Sequence, residues 1–314
     1  MKVVVTGGAG FIGSNLCRRF AEDPNITRVV AIDDLSTGYL ENLTGVDGVE
    51  MVHGSILNRE LLARHFDGAA SVVHLAARPS VPRSVADPIA THLVNVDGTI
   101  NVLEAARSMA EPPQIIFAGS SSVYGSNPEL PKRETMATWP ASPYAASKLA
   151  GEACLLGWSS SFGISVLGFR FFNVFGPFQR PGHAYAAVVP AFLEAALTGK
   201  PLPVHGDGTQ SRDFTFVGTV CDAIQRAVHE RIARRSPVNL AFGTRTTLLA
   251  VKAELESLIG HELCAEHQPN RAGDVPHSQA DSTVLREILP GLVAPPFTES
   301  LGATLLWMRE YLQC

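Results

Sequence analysis

The chain has 314 residues, of which 46% are hydrophobic and 18% are charged, and its formal net charge is −5. This length allows one large α/β unit or two domains with an ample core. The slightly acidic balance argues against nucleic acids and anionic membranes as partners. No stretch of the sequence has the uninterrupted apolar length that a membrane span requires.

Short apolar runs alternate with helical patterns through residue 169. The runs are β-branched, mostly apolar and bounded by turn residues, which predicts buried strands. They cover 3–5, 28–32, 50–52, 71–75, 114–118 and 165–169. Amphipathic stretches lie between them, including 99–109 and 144–161. This alternation predicts a parallel sheet with helices on both faces.

A glycine-rich stretch, VVVTGGAGFIGSNL, joins the first strand to the first helix. It fits the pattern G-x-x-G-x-x-G through Gly7, Gly10 and Gly13. Such glycines let backbone N–H groups approach a pyrophosphate at the positive N-terminus of a helix. Asp33 ends the next strand about 20 residues later, where an acid binds the ribose hydroxyls of NAD and repels the extra phosphate of NADP. We therefore predict NAD as the cofactor; the alternative is a glycine turn followed by a solvated pair, Asp33 and Asp34.

The sequence pattern changes after residue 170, where Gly- and Pro-rich loops separate helical patterns. Residues 218–241 return to a helix–strand pattern. We predict an α/β fold with a Rossmann-type doubly wound parallel sheet over 1–169, joined again by about 215–243. Residues 170–214 and 244–314 are predicted to form a smaller α/β substrate lobe.

Tyr144 and Lys148 lie four residues apart in a predicted helix, so they share one face. Alone, this spacing also fits a solvated surface pair. A free phenol titrates near 10, and a lysine ammonium one turn away favours the phenolate that a base needs. The serine run 120–122 follows the fifth strand, where its alternative role is a turn or helix cap.

The cysteines and histidines show no spacing typical of a metal site. The five cysteines are scattered without a C-x-x-C pair, and the ten histidines include His261, His267 and His277 among loop signals. We predict no metal and a reduced, cytoplasmic protein. Because the first residues lead straight into a strand, we also expect no signal peptide.

These motifs follow one another in a fixed order that resembles the extended short-chain dehydrogenase/reductase family, in its nucleotide-sugar epimerase branch. The resemblance covers nearly the whole chain. It includes the stretches HLAA (74–77), SVPRS (80–84), NVDGTINVLEA (95–105), RFFNVFGP (170–177), GDGTQSRDF (206–214) and RAGD (271–274). One departure is Ser55, where the family usually has an aspartate near the adenine, so one adenine contact stays open.

The resemblance implies roles for individual residues. It implies that Tyr144 is the base, that Lys148 holds the nicotinamide ribose and that Ser120 hydrogen-bonds the reacting oxygen. Further NAD contacts are implied for Gly7, Gly10, Phe11, Ile12, Gly13, Asp33, Asp34, Ser36, Thr37, Gly38, Ser55, Ile56, Leu75, Ala76, Ala77, Asn95 and Phe171. Substrate contacts are implied for Ser80, Arg83, Ser121, Ser122, Asn173, Ala187, Val188, Val204, Arg212, Arg271, Asp274 and Ser278. For each of these taken singly, the alternative is a solvated surface role.

Several reactions share this scaffold. A 4,6-dehydratase needs an acid–base pair where Ser121 and Ser122 stand, and a decarboxylase usually has glutamate in place of Ser122. A reductase that releases its cofactor fits the motifs less well, and a non-catalytic NAD-binding regulator commonly lacks Tyr144 or Lys148. The resemblance therefore implies a 4-epimerase of a UDP-sugar that acts through a transient 4-keto intermediate.

The choice of sugar and the assembly rest on weaker features. A small residue at Ser278 leaves volume for an acetamido group, as in epimerases of UDP-GlcNAc, although Ser278 is equally readable as a loop serine. UDP-glucuronate is a third candidate if Arg83 or Arg180 reaches its carboxylate. The family implies a homodimer in which helices beginning near Thr91 and Tyr144 meet those of a partner. The surface for this packing is supplied by Ala145, Ala146, Leu149, Ala150 and Ala153.

Overall fold

The structure, a computed structural model, describes residues 1–181, 187–269 and 275–314. Its strands are β1 (Lys2–Thr6), β2 (Arg28–Asp33), β3 (Val49–His53), β4 (Ser71–His74), β5 (Gln114–Ser120), β6 (Val166–Phe171), β7 (Val174–Phe175), β8 (Leu202–His205), β9 (Ser211–Arg212), β10 (Thr215–Phe216), β11 (Val238–Leu240), β12 (Thr246–Thr247) and β13 (Ala265–Gln268).

The helices alternate with these strands along the chain. They are α1 (Phe11–Ala21), α2 (Arg59–Phe66), α3 (Val81–Ala86), α4 (Pro88–His92), α5 (Gly98–Arg107), α6 (Pro143–Phe162), α7 (Val188–Leu197), α8 (Val217–His229), α9 (Leu248–Ile259), α10 (Thr283–Ile288) and α11 (Phe297–Leu312). Shorter turns are the 3-10 segments Leu40–Leu43 and Ser121–Tyr124 and the π segment Leu93–Asp97.

Seven parallel strands form the central sheet, in the order β11-β6-β5-β4-β1-β2-β3. The order reverses between β1 and β4, which both pair with their neighbours in parallel register. In doubly wound sheets, ligands bind beside the carboxyl ends of the strands at such a reversal. The predicted Rossmann-type sheet is confirmed, and its glycine-rich turn lies at the reversal.

Both faces of the sheet are buried, because alternate residues of each strand enter different cores. Val3 and Val5 pack with α1 and α8 on one face. Val4 packs on the other face with residues of α2, α5 and α6. This explains the continuous apolar runs in the sequence, since a strand covered on both sides needs no polar alternation.

The predicted strands and helices occur close to their expected positions. The helix expected over 99–109 is α5, which continues backwards through the π segment to Pro88. Such π turns often occur at functional sites, and this one carries Asn95. Residues 238–240 return to the sheet as β11 beside β6.

A third core lies outside the sheet. It contains residues of α7, α9 and α11, together with Phe175 and Phe214. Phe297 packs on both rings, at centroid distances of 5.4 Å and 5.6 Å. Three two-stranded sheets, β7–β10, β9–β12 and β8–β13, lie in this part of the chain. The domain boundaries expected from the sequence stay predictions.

Candidate active site

The glycine-rich loop fits closely against its surroundings. Gly7 has a φ of +74°, and a Cβ there would lie 2.7 Å from the backbone nitrogen of Ala76. A Cβ on Gly13 would lie only 2.0 Å from the Gly7 carbonyl oxygen. Gly10 caps α1 without a side chain, which leaves the first backbone N–H groups of the helix for an anion. The loop therefore fits a dinucleotide pyrophosphate, with Phe11 and Ile12 in the first turn of the helix.

Asp33 organises the loop as well as facing the predicted ribose site. Its carboxylate accepts hydrogen bonds from the Ala9 N–H at 3.0 Å and the Leu35 N–H at 2.8 Å. Burial raises the pKa of Asp33, while these backbone hydrogen bonds act in the opposite direction. A Cβ on Gly38 would lie 2.8 Å from the same carboxylate, so the loop after β2 folds directly over it.

The remaining residues of this loop are more open. Asp34 is exposed and accepts a hydrogen bond from the Ser36 N–H at 3.0 Å. Ser36 is exposed and Thr37 is half-buried. Beyond β3, the Ser55 hydroxyl accepts from the Leu57 N–H at 3.3 Å. The side chain of Ile56 is buried in the core of the sheet.

Asn95 connects the loop after β4 to α6. Its Oδ1 accepts from the Arg78 N–H at 2.7 Å, and its Nδ2 donates to the Arg78 carbonyl at 3.2 Å. Nδ2 also donates to Ser147 Oγ at 2.9 Å. The amide therefore fixes the backbone of Arg78, directly after Leu75, Ala76 and Ala77, which are half-buried. The contact of Asn95 with NAD stays a prediction.

The first turn of α6 is fixed by hydroxyl groups. Ser142 caps the helix and accepts from the Ala145 N–H at 3.1 Å. Ser84, on α3, accepts from the Tyr144 N–H at 3.0 Å. A serine cap typically contributes about 1 kcal/mol to helix stability. Ser84 ends the stretch SVPRS, but only the packing of α3 against α6 reveals its contact with the Tyr144 N–H.

The predicted catalytic residues meet where β5 ends and α6 begins. The Ser120 side chain is a hydrogen-bonding neighbour of the Tyr144 phenol and lowers its pKa. One turn along α6, the buried Lys148 ammonium donates to the Ala118 carbonyl of β5 at 2.9 Å. Ser122 approaches Ser120 Oγ with its N–H at 3.2 Å and its hydroxyl at 2.8 Å. Ser121 lies between them and is half-buried.

Burial is the main cause of the pKa shifts in this cluster. It raises the pKa of Tyr144, while the Ser120 side chain acts in the opposite direction. Burial also lowers the pKa of Lys148 to about 8. The Lys148 ammonium is directed at the Ala118 carbonyl. That it favours the Tyr144 phenolate together with the positive nicotinamide stays a prediction.

A pocket of about 200 Å³ opens beyond the end of the sheet. Four residues predicted to bind substrate line it, namely Asn173, Ala187, Val188 and Arg212. Arg212 donates to the carbonyls of Ser211 at 3.0 Å and Pro276 at 3.2 Å. Residues not predicted from the sequence complete the wall; they are Val174, Phe175, Gln179, Val189, Ala191, Pro203, His205, Gln210, Phe214 and Leu248.

Val204 does not face this pocket. It is only 1% exposed and belongs to the core of α7, α9 and α11, while its neighbours Pro203 and His205 line the pocket. The reason is the alternation of side chains along β8. A place for Val204 beside the base stays a prediction, and the alternation of LPVH puts Pro203 and His205 on the pocket side.

The other predicted substrate residues are spread around the site. Ser278 is buried, and its N–H donates to the Ser211 carbonyl at 3.0 Å. Ser80 has a φ of +93° and caps α3 by accepting from the Arg83 N–H at 3.5 Å. Phe171, which was predicted to contact NAD, stacks on Phe169 with ring centroids 6.4 Å apart. Arg271 and Asp274, and the stretch 182–186, lie outside the described residues.

Arg180 is engaged by the loop after β2. Its guanidinium lies 3.7 Å from the centre of the Tyr39 ring and donates to Asn42 Oδ1 at 3.0 Å. Asn42 in turn donates to the Ala9 carbonyl in the glycine-rich loop at 2.9 Å. These contacts direct Arg180 to the cofactor side, so they give no support to a role in binding a substrate carboxylate.

A buried ion pair joins α6, the helix that carries Tyr144 and Lys148, to the sheet. Arg170 of β6 contacts Glu152 of α6 at 2.7 Å, and the two side chains are 4% and 7% exposed. The Arg170 guanidinium also lies 4.8 Å from the centre of the Tyr124 ring. The Tyr124 hydroxyl donates to Asn239 Oδ1 of β11 at 2.6 Å. This network joins α6 to the strands that follow the serine run.

The described part of the chain holds neither a cluster of metal-ligating side chains nor a membrane-spanning helix. There, no three His, Cys, Asp or Glu side chains come together as metal ligands would. No helix within the described ranges combines the length and apolar character needed to cross a bilayer. His267 lies on β13 and is exposed, rather than in a loop as expected.

Comparison with known proteins identifies the family. Residues 3–241 match the NAD dependent epimerase/dehydratase family. The UDP-glucose 4-epimerase of Mycolicibacterium smegmatis is 36% identical over the full length of both chains. The structure of the UDP-N-acetylglucosamine 4-epimerase from Methanobrevibacter ruminantium, in complex with UDP-N-acetylmuramic acid, is 33% identical. It superposes with a TM-score of 0.93 over 99% of this chain and 98% of that one.

A second solved structure agrees. The UDP-glucose 4-epimerase of Thermotoga maritima, with UDP-glucose, is 32% identical and superposes with a TM-score of 0.91 over 99% of this chain and 100% of that one. The identities and full coverage match the resemblance read from the motifs. The chain belongs to the NAD dependent epimerase/dehydratase family, which confirms NAD as its predicted cofactor.

Proposed function

We propose that this chain is an NAD-dependent 4-epimerase of a UDP-sugar, either UDP-glucose and UDP-galactose, or UDP-GlcNAc and UDP-GalNAc, or both. The observation that carries the proposal is the cluster of Ser120, Tyr144 and Lys148 at the carboxyl edge of the sheet. Ser121 and Ser122 stand where a dehydratase or decarboxylase of this family needs acids. The names of the full-length relatives support the same reaction.

The chain's own residues fit the cofactor. The backbone amides after Gly10 would hold the pyrophosphate, Asp33 the adenosine ribose, and Lys148 the nicotinamide ribose. Residues 1–169 with 215–243 are proposed to form this domain, and 170–214 with 244–314 the nucleotide-sugar lobe. When bound, NAD supplies a hydride acceptor that returns the hydride within the same cycle.

Tyr144 is the proposed base. It accepts the proton of the sugar O4 as the alcohol is oxidised, and returns it to the opposite epimer as the 4-keto sugar is reduced. Because burial raises the pKa of Tyr144, the phenolate needs hydrogen-bond donors, and the Ser120 hydroxyl is one. Once Tyr144 holds the proton, the single Ser120 hydrogen donates instead to the carbonyl oxygen of the keto sugar, which favours its reduction.

The nucleotide must be held while the sugar turns. Arg212 lines the pocket, and a guanidinium suits a diphosphate because it makes bidentate contacts. Arg271 and Asp274 are proposed to add to this site on the strength of their motif. The aromatic wall of Phe175 and Phe214 gives the base an apolar surface. This end of the substrate is then fixed, while the sugar ring keeps the freedom to present either face.

We further propose a cytoplasmic homodimer. Val85 and Ile89 are 64% and 79% exposed on α3 and α4, and Ala146 and Ala153 are exposed on α6. Exposed apolar side chains on adjacent helices favour association. Light scattering at micromolar concentration should give the dimer mass, and Ile89→Arg should give the monomer. A monomeric wild type would contradict the dimer. The free state of the five cysteines agrees with a reducing compartment.

The function is tested by incubating the holoenzyme with UDP-glucose, UDP-GlcNAc and UDP-glucuronate and separating the C4 epimers. Conversion of either of the first two is expected. Conversion of UDP-glucuronate alone would change the substrate class but keep the reaction. If the protein retains NAD and converts none of the three, the proposal is wrong and a non-catalytic, NAD-binding role takes its place.

A further inference from the structure

Hydroxyl groups meet at the carboxyl end of β5, around the side chain of Ser120. Ser122 donates its backbone N–H to Ser120 Oγ at 3.2 Å, and its hydroxyl lies 2.8 Å from the same oxygen. The Ser120 side chain also acts on the Tyr144 phenol as a hydrogen-bonding neighbour that lowers its pKa. Within the described residues, Ser122 Oγ has no second hydrogen-bond partner, so its hydroxyl is committed to Ser120.

The number of hydrogen bonds that a serine can make limits the directions open to them. A hydroxyl has one hydrogen to donate and two lone pairs that accept. The Ser122 N–H can only donate, so it occupies one lone pair of Ser120. When the Ser122 hydroxyl donates to the other lone pair, only the Ser120 hydrogen is left. That hydrogen then points at the Tyr144 oxygen or at a substrate oxygen beside it.

We propose that Ser122 is a positioning residue that holds Ser120 as a hydrogen-bond donor toward Tyr144 and the reacting oxygen. The inference rests on the proposed function, in which Ser120 donates to the C4 carbonyl of the keto sugar. With both lone pairs filled, Ser120 cannot accept the hydrogen of the neutral phenol. The phenolate keeps its donor while the phenol is denied an acceptor, which favours the base form of Tyr144.

The residue type at position 122 matters for this role. An ionised carboxylate has no hydrogen to donate and only accepts. A glutamate at this position would therefore draw the Ser120 hydrogen toward itself and away from Tyr144. Serine or threonine can fill the lone pair of Ser120, whereas alanine leaves it free. Ser122 thus acts on the reaction through Ser120, and its hydroxyl is not available to the substrate at the same time.

A double-mutant cycle with Ser122→Ala, Ser120→Ala and the combined variant tests the proposal. Loss of one neutral hydrogen bond predicts that Ser122→Ala lowers kcat by about 2- to 10-fold, with little change in KM. Ser122→Thr should restore kcat. In the Ser120→Ala background, adding Ser122→Ala should cost nothing further, because residues that act through each other are not additive. The thermal unfolding midpoint of each variant shows that its fold is intact.

Titration of Tyr144 gives a readout that does not depend on turnover. The tyrosinate absorbance of Tyr144 is obtained by subtracting the spectrum of a matched Tyr144→Phe variant. In Ser122→Ala the freed lone pair of Ser120 stabilises the neutral phenol, so the titration should move to higher pH. In Ser122→Thr it should stay at the wild-type position.

The possible results separate this inference from the proposed function. An equal loss of kcat in the presence and absence of Ser120 would mean that Ser122 acts directly on the substrate, which overturns the inference. Unchanged kcat and titration in Ser122→Ala, or failure of threonine to restore them, would overturn it too. If the wild type converts no UDP-sugar but the titration still shifts as expected, the proposed function fails and the role of Ser122 stands.

Discussion

The carboxyl edge of the sheet and the pocket beyond it are built in different ways. At the sheet edge, polar side chains are buried and bonded to one another. His74 contacts Thr6 Oγ1 at 2.8 Å and Thr99 Oγ1 at 3.0 Å, and burial lowers its pKa to about 3. Its imidazole is therefore neutral near pH 7, and it acts as a fixed link between β1, β4 and α5.

The pocket depends on short strands, loops and rings. Its wall includes Arg212 from the two-residue strand β9, Phe175 from β7 and Ala187 just before α7. Beside it, the buried Gln179 Oε1 has no hydrogen-bond partner among the residues that the structure describes. The difference suits the proposed reaction. Proton transfer needs groups held to a fraction of an ångström, whereas a nucleotide can be bound by surfaces that tolerate small movements.

The largest effect is expected at the sheet edge, from Tyr144→Phe. This variant loses the proton acceptor but keeps the ring, so turnover should fall by about 10²- to 10⁴-fold. NAD should stay bound, which the cofactor absorbance of the purified protein can show. Near-normal turnover would show that Tyr144 is not the base. Proton transfer could then no longer be assigned to the sheet edge in contrast to the pocket.

A second prediction concerns the support of the catalytic helix. Arg170→Ala leaves Glu152 buried without its cation, and breaking a buried pair costs about 3–5 kcal/mol in the free energy of unfolding. The control is Arg28→Ala, because Arg28 and its partner Glu50 are 55% and 41% exposed, and exposed pairs contribute about 0–1 kcal/mol. Urea unfolding of both variants makes the comparison. Equal losses would show that the buried network is not specially needed.

The third prediction lies on the substrate side. Ser278→Tyr adds a ring where the small serine is predicted to leave volume for an acetamido group at C2 of the sugar, and an overpacked contact costs about 1–3 kcal/mol. An acetamido sugar should meet that cost, so kcat/KM for UDP-GlcNAc should fall by roughly 5- to 150-fold. A plain hexose should largely escape it. Both substrates are measured on one preparation. Equal losses would indicate a damaged loop, and no loss would place Ser278 away from C2.

The smallest effect is expected far from both regions. A Cβ on Gly302 in α11 would meet nothing closer than 3.7 Å, so Gly302→Ala should stabilise the protein by about 0.5–1 kcal/mol.

The matched comparison is the same change in the glycine-rich loop, where a Cβ on Gly13 would lie 2.0 Å from the Gly7 carbonyl oxygen. Gly13→Ala should lower the unfolding midpoint and the amount of NAD retained. A stabilising Gly13→Ala would show that the loop is not as closely packed as the distances indicate.

The sequence by itself determined the parallel sheet and the cofactor. The apolar runs of the strands, the spacing of Gly7, Gly10 and Gly13 and the position of Asp33 are local features. A strand buried on both faces requires apolar residues at consecutive positions. A tight turn before a helix requires glycines a few positions apart. The same holds for Tyr144 and Lys148, because helical periodicity alone puts them on one face.

Only the tertiary structure decided how the site is held together. Ser84 reaches the Tyr144 N–H from a separate helix, Asn95 joins Arg78 to Ser147, and the pocket is lined by Pro203 and His205 rather than Val204. These contacts join residues far apart in the chain, so no local pattern records them. The direction of the Lys148 ammonium depends in the same way on the carbonyl that β5 happens to place beside it. Local periodicity specifies elements, but the hydrogen-bond partner of a buried polar group is set by whichever element packs against it.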